Sequence, residues 1–160
     1  MPPRFVLYYW PIPFRAQPIR YILAYAGQAW EEPDDDHVMA LYQSAIVDQP
    51  VPFMGPPVLH DRQDDVWLSQ APAIADYVGQ VLGLMPGTPE KDALTLKVLG
   101  DCTDVLQALT RDCGALMWTD EDWASFAERR LPRWLQIFEE LGVRDPSGDL
   151  REPPVVPSID

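Results

Sequence analysis

One stretch of the sequence, residues 56–77, constrains the fold more than any other. A proline precedes a short apolar strand, an acidic turn and a second strand follow, and a helix begins at Ser69 and Gln70. A proline has no backbone N–H to donate, so it belongs at the end or edge of a sheet, and the bond before it is the one that takes the cis form at low cost. We predict a cis bond before Pro57, facing a helix N-terminus, an arrangement that can hold a ligand.

Hydrophobic patterning over residues 1–83 alternates strands with helices. Gly27 ends the first helix, and Pro18 is tolerated because it falls in the first turn of that helix. The order strand, helix, strand, helix, strand, strand, helix predicts a thioredoxin-like α/β domain. The predicted segments are 5–10, 15–26, 29–31, 37–47 (a weak helix or an irregular segment), 57–60, 66–68 and 73–82.

The rest of the chain predicts a small all-α helical domain. After a linker at residues 83–89, Thr88 and Pro89 are typical of an N-cap and a first helical residue. Thr119 and Asp122 resemble a capping box that opens a second helix, which Pro132 should kink. The apolar stripe of the first long helix consists of Val98, Cys102, Val105, Leu109, Cys113 and Leu116.

These patterns divide the chain into three parts. Residues 1–83 form the thioredoxin-like domain, residues 84–144 the short helical domain, and residues 145–160 a tail. The tail has four prolines and four acidic residues, so we predict that it is disordered or loosely docked.

Composition narrows the classes of partner. A net charge of −13, with 12 lysines and arginines, disfavours nucleic acid and anionic membranes as partners. No apolar run approaches the roughly 20 residues of a membrane span. No signal peptide is evident, and a cytoplasmic location is expected.

Several residues that could suggest a metal or redox site are given simpler interpretations. The acidic run at residues 31–36 is interpreted as a solvated loop, because consecutive carboxylates point in different directions. His37 and His60 lack the spacing of metal ligands and are interpreted as surface or turn residues. Cys102 and Cys113 are interpreted as buried apolar residues of one helix. No metal is therefore expected.

A set of short motifs stands in a specific order and spacing along the chain. It consists of Tyr9-Trp10-Pro11, Arg15, residues 20–27, Pro52-Phe53 ahead of Pro57, Leu68-Ser69-Gln70 and the helix that follows. This set resembles the cytosolic glutathione transferases, most of all the tyrosine-type classes such as sigma. The resemblance covers residues 4–142 and implies a glutathione-binding thioredoxin-like domain followed by a helical domain.

The resemblance implies a catalytic role for Tyr9, whose hydroxyl would donate a hydrogen bond to the glutathione sulfur. The nucleophile is the thiolate, and a free thiol has a pKa of about 8.5. A donor directed at the sulfur favours the anion. The alternative is a core tyrosine, since Tyr8 and Trp10 flank it.

Further residues are assigned to glutathione by the same resemblance. Arg15 would lie near the carboxylates of glutathione, and Pro57 would be the cis proline at the ligand-binding site. Gln70 would meet the γ-glutamyl amine end, and Asp101 would reach the glutathione bound by the partner subunit. The alternative for Arg15 is a solvated or bridging arginine, and the alternative for Gln70 is a plain polar residue at a helix start. The alternative for Asp101 is a residue on a solvated helix face.

Four positions depart from the family pattern. Pro56, next to the cis proline, keeps its C=O but has no N–H for the cysteinyl backbone. Ala71 replaces a serine whose hydroxyl would bind the γ-glutamyl carboxylate. Asp48 falls near an expected lysine, and Phe14 replaces a glycine. These losses predict weakened binding. The family's later helices, which form the far wall of the electrophile pocket, have no counterpart.

Two functions are therefore kept. The first is a glutathione transferase-like enzyme in which a tyrosine-assisted thiolate attacks a small hydrophobic electrophile. The second is a non-catalytic binding or structural protein of the same fold, which Pro56 and Ala71 favour. A partly stable truncated product and an isomerase or peroxidase variant also stay open. A homodimer is expected, with Phe53 inserted into the partner as an aromatic plug.

Overall fold

The structure is a computed structural model that describes residues 2–111 and 116–144. Its contacts divide the chain into a unit at residues 1–100 and a unit at residues 101–160. The predicted boundary at residue 83 stays a prediction. Cys113 and the predicted tail at residues 145–160 lie outside the described residues.

The first unit contains a four-stranded mixed sheet, with strand order β2-β1-β3-β4. Strand β1 is parallel to β2 and antiparallel to β3, and β3 is antiparallel to β4. This is the predicted thioredoxin-like arrangement. The strands are β1 (Phe5–Tyr8), β2 (Trp30–Glu31), β3 (Val58–Asp61) and β4 (Val66–Ser69).

Two helices, α1 (Gln17–Tyr25) and α3 (Ala71–Val81), pack together over the core of this unit. Alternate residues of a strand point to one face, and Phe5 and Leu7 on β1 belong to the same buried cluster as residues of both helices. Gly27 follows α1 with a φ of +62°, the left-handed conformation expected of a residue that ends a helix. The other fully buried core residues include Ile19, Leu23, Leu59, Ile74 and Val78.

The acidic residues of segment 31–36 are exposed to solvent, as predicted, but the segment is not simply a loop. Glu31 belongs to β2, and Asp34 caps helix α2 (Asp35–Gln43) by accepting a hydrogen bond from the His37 backbone N–H at 3.0 Å. Two further acids lie in the first turn of this helix, where negative charge is favourable. The run therefore starts a helix because it supplies both the cap and the first-turn charges.

The hairpin of β3 and β4 forms as predicted, but its turn conceals a buried acid. The side chain of Asp61, the last residue of β3, is fully buried. It accepts hydrogen bonds from Arg4 Nε and Nη2 at 2.9 and 2.6 Å, and from the Tyr77 hydroxyl at 2.9 Å. The interpretation of His60 as a turn residue is wrong, since it lies on β3 and its ring stacks on Trp67 with ring centroids 4.0 Å apart.

Helix α4 (Pro89–Ala108) crosses the division between the two units and is shorter than predicted. It ends where the Leu109 N–H bonds to the Leu106 C=O, three residues back. Two short strands then pair, β5 (Thr110–Arg111) and β6 (Leu116–Met117). The apolar stripe was misleading beyond residue 108 because a short apolar segment fits a strand as well as a helix.

The second unit continues with helices α5 (Asp120–Arg129) and α6 (Leu131–Arg144). The capping box of Thr119 and Asp122 is confirmed. The predicted single kinked helix is instead two helices that break at Arg130. Pro132 falls in the first turn of α6, where its missing N–H leaves no bond unmade. Within residues 2–111 and 116–144, no helix is long and apolar enough to cross a membrane.

Candidate active site

The register of the sheet brings the predicted site residues of the first unit to one end of the strands. Tyr8 lies opposite Val58, and Val58 lies opposite Ser69. The residues just beyond these three positions are Tyr9, Pro57 and Gln70, which therefore meet at the same edge of the sheet.

Tyr9 is buried, and a single backbone group holds its hydroxyl. The Arg15 N–H, just before α1, donates to the Tyr9 oxygen at 3.2 Å. Burial raises the pKa of Tyr9, while the Arg15 N–H and the charges of Arg15 and Arg20 act in the opposite direction. Among the described residues, none accepts the proton of this hydroxyl, so that proton is available to a ligand.

Arg15 supplies a guanidinium near the same hydroxyl. Its backbone holds Tyr9, and its half-buried side chain lies over the Phe14 ring at 5.5 Å. No carboxylate within the described ranges pairs with this guanidinium. Phe14, which departs from the family's glycine, thus packs against Arg15.

Gln70 has an unusual backbone for a residue with a side chain. Its φ is +73°, and its exposed amide makes no capping hydrogen bond although it occupies the N-cap of α3. Such a conformation costs about 1–3 kcal/mol and is found mostly at functional sites. Ala71 follows as the first residue of α3 and is half-buried.

The peptide bond between Pro56 and Pro57 is cis, as predicted. Both prolines are buried, and β3 starts directly after them. Pro56 therefore brings only its carbonyl oxygen to this edge of the sheet.

An open cavity of about 510 Å³ adjoins Tyr9 and Pro11. The other lining residues are Glu32, Pro33, Asp34, Asp35 and Asp36. This wall carries four carboxylates, so the cavity disfavours an anionic group. The described residues contain no cluster of His, Cys, Asp and Glu placed to hold a metal.

Sequence reasoning missed a network behind Tyr9 that is centred on Arg20. Arg20 donates to the carbonyl oxygens of Trp10 and Ile12 and to both carboxylate oxygens of Glu32. Trp30 Nε1 also donates to Glu32, at 2.7 Å. The sequence carries no signal for this network, because Glu32 looks like one more acid in a charged run.

Comparisons with known proteins agree with this fold. Residues 94–149 match the family model described as the glutathione S-transferase C-terminal domain. Among solved structures, NaGST-2 aligns with a TM-score of 0.65 and 24% identity over 88% of this chain and 68% of its own. The sigma class glutathione transferase of Fasciola hepatica aligns with a TM-score of 0.64 and 22% identity over 92% and 70%. No curated protein matches.

The chain is therefore similar in fold to the glutathione transferases, and residues 94–149 match the model of their C-terminal domain. Na-GST-3 of Necator americanus, a glutathione transferase described as monomeric, is also similar. It aligns with a TM-score of 0.53 and 26% identity over 66% of this chain and 49% of its own length. The chain thus spans between about half and 70% of these transferases.

Two expectations drawn from the glutathione transferases concern residues outside the edge described above. Phe53 is 8% exposed and packed within its own chain, so it is wrong as a plug that enters a partner. Its neighbour Met54 is 88% exposed. Asp101 lies in α4 and belongs to the second unit, and its role stays a prediction.

Proposed function

We propose that this chain binds glutathione and uses Tyr9 to stabilise the thiolate, which attacks a small hydrophobic electrophile. The observation that supports this most is the Tyr9 hydroxyl, which the Arg15 N–H fixes from one side. Because that bond uses an oxygen lone pair, the hydroxyl keeps its proton for the sulfur. A hydrogen bond to the anionic form lowers the pKa of a thiol.

The rest of glutathione would lie across the same edge of the sheet. The Arg15 guanidinium suits a carboxylate, which it can bind through two parallel hydrogen bonds. Gln70 presents an uncommitted amide to the γ-glutamyl end, beside the N-terminus of α3. Pro56 and Pro57 offer carbonyl oxygens to the cysteinyl backbone.

The test of this proposal is a calorimetric titration with glutathione, together with conjugation rates against a chloronitrobenzene. We expect a dissociation constant on the order of millimolar, around −4 kcal/mol, because Pro56 and Ala71 each remove a donor. No heat at millimolar glutathione together with no conjugation would refute it.

Restoring one lost donor should strengthen glutathione binding. In Ala71→Ser, a hydroxyl at the first residue of α3 can reach the γ-glutamyl carboxylate. One such bond contributes about 0.5–1.5 kcal/mol, so the dissociation constant should fall by about two- to tenfold. The control is Ala73→Ser, which adds the same hydroxyl one position beyond Pro72 on an exposed site. Equal effects of the two variants would place the γ-glutamyl group elsewhere.

A second candidate is a non-catalytic binding or structural protein of the same fold. The observation in its favour is Pro56, which cannot donate a backbone hydrogen bond where the cysteinyl backbone of glutathione would bind. Binding of glutathione without any conjugation would support this candidate. A cytoplasmic location belongs to the proposal as well.

We also propose a homodimer, in which Asp101 of one protomer reaches the glutathione of the other. The segment between α2 and β3 exposes Val47 and Met54, at 90% and 88%, and a partner would cover such apolar side chains. Light scattering at micromolar concentration should give twice the chain mass, and Met54→Asp should shift it toward one. Tyr25→Asp, on the exposed side of α1, is the control. A wild-type chain that is monomeric would contradict the dimer.

A further inference from the structure

Arg20 joins three parts of the first unit. Its guanidinium, on α1, donates to the Trp10 and Ile12 carbonyl oxygens at 2.9 and 2.8 Å and to Glu32, beyond β2, at 2.9 and 2.7 Å. The side chain is 13% exposed. A guanidinium that uses its donors in this way has a single orientation, because its fork is planar and rigid.

The loop that Arg20 holds is the one that presents Tyr9. Trp10 follows Tyr9 directly, and its ring packs edge-on against the Tyr9 ring, with centroids 5.5 Å apart. The same loop continues through Ile12 to Arg15, whose N–H holds the Tyr9 hydroxyl. The two carbonyls that Arg20 holds therefore lie in the loop between Tyr9 and the residue that donates to its hydroxyl.

Arg20 also acts on Tyr9 by charge. The Arg20 guanidinium carbon lies over the Tyr9 ring at 5.8 Å from its centroid. A cation at this distance favours the phenolate and makes the hydroxyl a stronger donor. Glu32 offsets that charge, since its carboxylate accepts two hydrogen bonds from Arg20 and one from Trp30.

We propose that Arg20 is a positioning residue for Tyr9 and that Glu32 sets the effective charge that Arg20 presents to the ring. The consequence for catalysis rests on the proposed function of Tyr9. The positioning itself does not, because the acidity of the Tyr9 hydroxyl can be measured without glutathione.

The experiment follows the ionisation of Tyr9 by fluorine NMR in the full chain labelled with 3-fluorotyrosine. The fluorine acidifies each phenol, so that titration is complete while the protein is folded. The chain has 6 tyrosines, and the resonance missing from Tyr9→Phe is that of Tyr9. The charged groups around this ring are Arg15, Arg20 and the four carboxylates of the cavity wall.

Substitutions of Glu32 and of Arg20 should shift the ionisation constant of Tyr9 in opposite directions. Glu32→Gln can keep the one oxygen that accepts from Arg20 Nε and Trp30 Nε1, but it loses the bond from Arg20 Nη2 and removes the negative charge. The ionisation constant of Tyr9 should therefore rise about threefold or more. Arg20→Met removes the cation and frees the loop, so the constant should fall by a similar factor. A purely structural ion pair would give shifts of the same sign in both variants.

The matched control is Asp34→Asn. It removes one charge from the same cavity wall, keeps a good N-cap for α2 and has no bond to Arg20. Its shift should be smaller than that of Glu32→Gln. Equal shifts in Glu32→Gln and Asp34→Asn would overturn the proposal. So would the absence of a shift in Arg20→Met, or shifts of the same sign in Glu32→Gln and Arg20→Met. Where Arg20→Met does not fold, Glu32→Gln against Asp34→Asn decides it.

Discussion

Replacing Tyr9 with phenylalanine is expected to slow glutathione conjugation by about 100-fold, the lower end of what loss of one donor to a developing or stabilised anion costs. The dissociation constant for glutathione should change little, because in the proposed complex the hydroxyl contacts no part of glutathione other than the sulfur. The apparent pKa of bound thiol should rise toward the free value of about 8.5. The rate of conjugation as a function of pH measures both effects.

Tyr8→Phe is the matched control for this variant. Tyr8 precedes Tyr9 on the chain, but its ring packs at a tilt against Trp67, with centroids 5.6 Å apart. It should conjugate glutathione at the wild-type rate. If Tyr9→Phe retains full activity with an unchanged pH profile, another group stabilises the thiolate and the assignment of Tyr9 is wrong.

Asp61→Asn is expected to lower the free energy of unfolding by about 3 kcal/mol. The wild-type carboxylate is fully buried and accepts from Arg4, from Tyr77 and from the Gln63 N–H. Breaking a buried pair leaves its partner charge uncompensated, which costs about 3–5 kcal/mol, and Arg4 is 19% exposed, which reduces the cost. Urea unfolding of the two proteins measures the difference.

Asp64→Asn is the control, because Asp64 also accepts from Arg4, at 2.8 Å, but is 49% exposed. It should cost less than about 1 kcal/mol, as exposed ion pairs do. Equal losses in the two variants would show that burial of Asp61 does not decide its contribution.

The same carboxylate makes stability depend on acidity. Burial raises the pKa of Asp61, but the hydrogen bonds from Arg4, Tyr77 and Gln63 outweigh it and hold the pKa below its usual range. Its contribution is therefore complete above the unfolded value of about 3.9 and is lost as the pH falls through the folded value. Asp61→Asn should flatten the acid limb of the stability curve.

Much of the fold was predictable because local patterns and the tertiary structure agree. The proline before β3, the hairpin, Gly27 after α1 and the capping box at Thr119 each depend on backbone geometry within a few residues. The order of elements then leaves few arrangements for a small sheet. The prediction of one long helix was wrong beyond Ala108, because the pairing of β5 with β6, several residues away, decided the conformation there.

For the site, the sequence named residues but could not place them. Tyr9, Pro57 and Gln70 were assigned by resemblance, and the strand register is what brings them to one edge. Gln70 has a positive φ, which its residue type does not predict. Phe53 was expected to enter a partner subunit, whereas packing within its own chain buries it.

The sequence by itself determined the class of fold, because the order of elements follows from the positions of prolines, glycine and apolar residues along the chain. Tertiary structure alone decided which charges face one another. Glu32 pairs with Arg20 and Asp61 with Arg4 across separations of 12 and 57 residues. The physical reason is that an ion pair depends on distance in space, which no local pattern of carboxylates and guanidinium groups records.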